Sequence, residues 1–144
     1  MTLTTDIILL ILIKNMLKTS LLLICVLTFV ISKSQTSTVY IDGSNNTYTI
    51  TENKIEYIAV KKENSSSGVY SGGKSESIKI TAKQFSKINS LVVELEKDST
   101  CYLSDRLMGC GTLKNERIKT PLYIAMNSVK KNELESCLKQ LLGL

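Results

Sequence analysis

Residues 81–97, TAKQFSKINSLVVELEK, place Ala82, Phe85, Ile88, Leu91, Val92 and Leu95 at three- and four-residue intervals. That is the spacing of one apolar stripe along a helix. Thr81 ahead of the stripe and Gln84 three residues on have the pattern of a capping box, in which the threonine hydroxyl accepts a first-turn N–H and the glutamine side chain bonds back to the cap. Burying each of the larger apolar side chains is worth roughly 1.5–3 kcal/mol before entropy is subtracted. The stripe therefore needs a second apolar surface, and the segments before it have the character to supply one.

Residues 47–51 alternate, with Tyr48 and Ile50 on one side and threonines on the other, the pattern of a half-buried strand. Residues 38–42 are β-branched and aromatic, and residues 42–46, DGSNN, are dense in turn formers, so these segments predict a hairpin. Residues 54–61 read as a third strand with Ile55, Tyr57 and Ala59 on one face and Ile58 and Val60 on the other, which suggests a central position. Residues 76–80 read as a fourth, leading straight into the helix. Beyond the helix, residues 101–111 read as an irregular connection with two glycines and residues 112–119 as weakly strand-like. Pro121 cannot donate to a ladder, so a last strand over residues 122–126 begins just after it. Residues 129–142 form a second helix with Leu134, Leu138, Leu141 and Leu142 on one stripe and Cys137 beside it. The order predicts an α+β fold, a small antiparallel sheet of four to six strands packed against one central helix and a C-terminal helix.

Two apolar runs, residues 7–13 and 21–31, precede this domain, separated by a stretch holding Lys14 and Lys18. Each is shorter than the about 20 residues that a membrane helix needs. A short basic region at residues 16–18, an apolar region at residues 21–31, and Ser32 and Ser34 at the −3 and −1 positions have the form of an export signal. The chain accordingly divides into residues 1–34, an extension and cleaved signal with the signal proper over residues 16–34, and residues 35–144, a single α+β domain. Whether Met1 or Met16 is the start stays open. The alternative is an uncleaved N-terminal segment that anchors the protein. Cys25 follows Ile24 where a lipoprotein signal wants a small residue, so it fits an apolar signal residue better than a lipid attachment point. Membrane contact is then confined to the signal before cleavage, and the residue usage and signal point to a bacterial envelope, periplasm or medium.

Removing residues 1–34 leaves 15 basic and 12 acidic residues, a net charge of +3. No arginine-rich run or basic-aromatic stripe appears, so no nucleic acid is expected. Residues 68–75, GVYSGGKS, satisfy the phosphate-binding P-loop pattern, but residues 77–80 alternate with period two where that motif requires a helix, so no nucleotide is expected either. The chain has no histidine. That removes the Ser-His-Asp and Cys-His arrangements and most zinc sites, so neither a catalytic set, a metal nor a cofactor is assigned. Asp42, Glu52, Glu56, Glu63 and Asp105 leave carboxylate chemistry formally open, without a defensible pair. Cys101 and Cys110 are candidates for a disulfide that would tie the helix end to a glycine turn, with Cys137 left reduced. Three binding residues stand out: Val69 and Tyr70, apolar or amphipathic in a Ser/Gly loop, and Arg106 beside Gly109 and Gly111 as an anion-binding corner. The expected function is a non-catalytic binding or inhibitory module of the bacterial cell envelope, acting on an envelope or extracellular protein. The alternative is a small carboxylate-dependent hydrolase or transferase.

Overall fold

A computed structural model describes Lys14, Met16, Lys18 and residues 37–65 and 68–144, and the chain divides into two compact units, Met1–Ser34 and Gln35–Leu144. In the first unit the three described residues are helical and exposed. The export-signal, anchor and lipidation expectations, with Cys25, Ser32 and Ser34, lie outside the described residues. Among the described residues, no helix is long and apolar enough to cross a membrane.

The second unit runs β1 (Thr38–Ile41), β2 (Thr47–Ile50), β3 (Lys54–Ile58), β4 (Glu76–Lys79), α1 (Ala82–Lys97), β5 (Tyr102–Leu103), β6 (Gly111–Asn115), β7 (Leu122–Ile124) and α2 (Val129–Leu142). The strands form one sheet in the order β4-β3-β2-β1-β6-β7-β5, antiparallel at every junction. Among the described residues the second unit is thus α+β with two helices, as its pattern predicts, and the sheet is wider than expected, with seven strands rather than four to six. The extra width comes from β5, which lies in the stretch read as irregular. A two-residue strand cannot display a period, so only its pairing with β7 reveals it.

The capping box of α1 forms: Thr81 Oγ1 accepts from the Gln84 N–H at 3.3 Å, and Gln84 Oε1 accepts from the Thr81 N–H at 2.7 Å. Ile88, Val92 and Leu95 are buried, with Phe85 and Leu91 packed at the margin, while Ala82 is exposed. Helix α2 adds Leu134, Leu138 and Leu142 to the same core. Both helices bury their stripes against one face of the sheet, which presents Tyr40, Tyr48, Ile50, Ile55, Tyr57, Leu113 and Ile124.

The two-faced pattern of residues 54–61 has a different outcome from the one expected. β3 ends at Ile58, lies second from the edge, and leaves Ile58 56% exposed. The helices cover only the inner face, so an isoleucine pointing the other way is not drawn into the core. Ala59 and Val60 are buried, but in the loop that follows.

The expected Cys101–Cys110 disulfide is absent, and Cys101, Cys110 and Cys137 are all unbonded and buried. Register explains it. Tyr102 and Gly111 both pair with Ile124 from opposite sides of β7. The residues just before them are therefore two strand spacings apart, about 10 Å. A disulfide needs its Cα atoms within about 7 Å. Cys101 Sγ instead donates to the Asp98 carbonyl at 3.0 Å.

Candidate functional site at the loop rim of the sheet

Antiparallel pairing carries the β1–β2 turn, the β3–β4 loop and the residues after β7 to the same end of the sheet, and the β5–β6 loop returns to that end before Gly111. The turn is the anchor of this rim. Buried Asp42 accepts at Oδ1 from the Ser44 and Asn46 backbone N–H groups, both at 2.9 Å, and at Oδ2 from Asn46 Nδ2 at 2.9 Å. This is what an aspartate opening a tight turn can do, because its side chain reaches backbone donors two and four residues on. Asn45 takes the left-handed backbone, φ 71°, which asparagine tolerates better than most residues.

Buried Asn46 joins the turn to the neighbouring loop. Its Oδ1 accepts from the Val60 N–H at 3.0 Å, and its Nδ2 also donates to the Tyr70 hydroxyl at 3.1 Å. Gly72 completes the join: its carbonyl accepts from the Tyr57 hydroxyl at 2.6 Å and its N–H donates to the Val60 carbonyl at 3.0 Å. A Cβ at Gly72 would fall on Asn46 Oδ1 and lie 2.9 Å from the Tyr57 hydroxyl, so no other residue fits without movement. The β5–β6 loop rests on the same turn, because a Cβ at Gly43 would stand 2.5 Å from the Gly109 carbonyl oxygen.

Beneath the rim, Tyr40, Tyr48 and Tyr57 face one another across β1, β2 and β3, with ring centroids 6.1 and 5.1 Å apart. Tyr40 donates to Glu135 Oε1 at 2.6 Å, and Glu135 is held by Lys131 at 2.9 Å in a pair with side chains only 14% and 5% exposed. Tyr48 reaches toward Asp42 Oδ2 at 3.4 Å. Burial first, then the Glu135 charge and hydrogen bond, pushes the Tyr40 hydroxyl far above its usual value, and burial followed by the Asp42 charge does the same to Tyr48. Tyr57 is pushed up to about 12 by burial, then by Tyr70 and Asp42. These hydroxyls are neutral donors at any physiological pH.

On this base the rim shows a group of exposed apolar side chains. Met108 is 90% exposed, Met126 66% and Tyr70 42%. The three share a depression of about 420 Å³ with Gly43, Ser44 and Asn45. Met126 lies across Gly109, whose φ of 77° and missing Cβ let the thioether approach. Arg106 donates to Asn45 Oδ1 and lines a second cleft of about 420 Å³ with Lys61 and Asn64.

The structure thus brings Tyr70 and Arg106, 36 residues apart in the chain, to two depressions that Asn45 lines in common. Val69 is 74% exposed and lines neither depression. Met108 and Met126 escape a reading of sequence, since nothing local marks a methionine as exposed. Lys131 and Glu135 leave a faint signal, as charged residues on the side of α2 that should be apolar. The P-loop pattern ends at Ser75 and is followed by β4, so the phosphate-binding context is missing. Of the five carboxylates open to catalysis, Asp42 is consumed by the turn, Glu56 pairs with Lys54 at 2.5 Å, and none lines either rim depression. Among the described residues no group of three or more acidic, cysteine or histidine side chains could hold a metal. Compared with known protein families, curated proteins and solved structures, the chain matches none of them.

Proposed function

We propose that this protein is an exported, non-catalytic binding module of a bacterial cell envelope, which docks or inhibits a protein partner through the loop rim of its sheet. The observation that carries the reading is the group Met108, Met126 and Tyr70, exposed around one depression on a turn fixed by Asp42 and Asn46. Exposed methionines cost solubility unless something covers them, and their unbranched thioethers adapt to a partner's shape. Tyrosine gives a large contact area at low entropic cost. The depression is half open to solvent, and its volume of about 420 Å³ suits one or two apolar side chains of a protein. Export is supported by the apolar run followed by Ser32 and Ser34.

The test is capture from the native envelope by the full-length chain carrying a C-terminal tag. The wild type should retain a partner that both Tyr70→Ala and Met108→Asp lose, and its captured form should have the mass of a chain beginning at Gln35. Retention of the same partner by both variants, or capture of a form that keeps residues 21–31, would sink the corresponding half of the proposal.

A further inference from the structure

The second rim cleft has a chemistry that the docking surface does not use. Lys61 and Arg106 both line it, together with Asn45 and Asn64 and the apolar Ile41 and Ile58. No acidic residue lines it, although Glu63 and Asp105 stand close in sequence. Among the described residues, neither cation has a carboxylate partner. Arg106 is held instead by the neutral Asn45 amide oxygen. Since Asn45 is fixed by the turn, the guanidinium is positioned while its charge stays uncompensated. A guanidinium keeps further N–H donors in a planar fork that matches an oxyanion.

Apolar surface beside these cations serves two ends. It lowers the local dielectric, so that an arriving anion is attracted more strongly than in open water. It also offers area to whatever apolar body the anion carries, at roughly 25 cal/mol per Å² removed from water. Ile58, 56% exposed, is placed to give that area.

We propose that the cleft lined by Arg106, Lys61 and Ile58 is a binding site for a small organic anion, a carboxylate or phosphate head with a short apolar body. The head sits between the two cations and the body lies along Ile41 and Ile58. The cleft adjoins the protein-docking depression at Asn45, but neither Met108 nor Met126 lines it.

The experiment is an NMR titration of the isotopically labelled full-length chain with hexanoate and, separately, hexyl phosphate, with hexanol and hexylammonium as controls. Saturable shifts at the Arg106 side-chain N–H and at the Lys61 amide are expected with an anion. The head that saturates at lower concentration identifies the preferred class. Arg106→Gln should weaken that affinity by about tenfold or more, the value of a charge-assisted hydrogen bond, and Lys61→Gln should weaken it as well. Arg106 is exposed, so its replacement leaves the fold intact, and the variant's spectral dispersion verifies this. The proposal is overturned if neither anion saturates, if hexanol or hexylammonium produces the same shifts, or if both variants bind like the wild type.

Discussion

Tyr48 and Tyr70 both reach the β1–β2 turn through their hydroxyls, and they do so from opposite sides of the solvent boundary. Tyr48 is fully buried under the helices and points at Asp42, while Tyr70 stands 42% exposed and accepts from Asn46. One residue type, one turn and one kind of bond therefore serve two regions with different physics. Under the helices a hydroxyl must be satisfied because water cannot reach it. At the rim the bond orients a ring that water also reaches. The difference shows how a rigid, fully paired face can hold an adaptable one at its edge.

The comparison breaks most visibly at Tyr48. Tyr48→Ala removes a ring packed between Tyr40 and Tyr57, and should cost about 3–5 kcal/mol, as large-to-small changes of buried aromatics do. Urea unfolding of the purified chain measures it, and a loss below about 1 kcal/mol would show that the row is not the core.

Alkaline pH probes the same region without mutation. Unfolded tyrosines lose their protons near pH 10, whereas Tyr40 and Tyr48 are held neutral well above it. Above pH 10 the unfolded state thus binds fewer protons than the native one. Stability is fully present below that pH and declines as pH rises, by up to roughly 1.4 kcal/mol per pH unit for each of the two. Unfolding midpoints at a series of alkaline pH values, read with phenolate absorbance, test this. Reversible ionisation of all six tyrosines near pH 10 in the folded chain would contradict it.

The smallest effect belongs to the rim. Tyr70→Ala gives up the hydrogen bond from Asn46 and the rim contacts of a side chain that is 42% exposed, so its cost should stay well below that of Tyr48→Ala. Here the informative outcome is a contrast, with partner capture lost while the thermal midpoint hardly moves. If the substitution unfolds the domain, Tyr70 belongs with Tyr48 and the distinction between the two regions fails.

Much of the frame was legible because it is periodic. The α1 stripe, its Thr81–Gln84 cap, the alternation around Tyr48 and the leucines of α2 are local patterns, and burial follows from them. The rim was legible only in fragments. Tyr70 and Arg106 could be singled out by composition, but nothing in the chain between them says that both border Asn45. The same limit produced the disulfide expectation, in which two cysteines nine residues apart were taken as neighbours although β7 lies between their strands.

The amino-acid sequence by itself determined the helices, the first four strands and the turn at residues 42–46. Each of these depends on residues within a few positions of one another. Tertiary structure alone decided that β6 and β7 continue the sheet beyond β1, that β5 closes its far edge, that Ile58 faces outward, and that Met108, Met126, Tyr70, Arg106 and Lys61 gather around one turn. The physical reason is that strand order and register are set by which long-range pairing best fills the core beneath two helices, a competition that no local segment encodes.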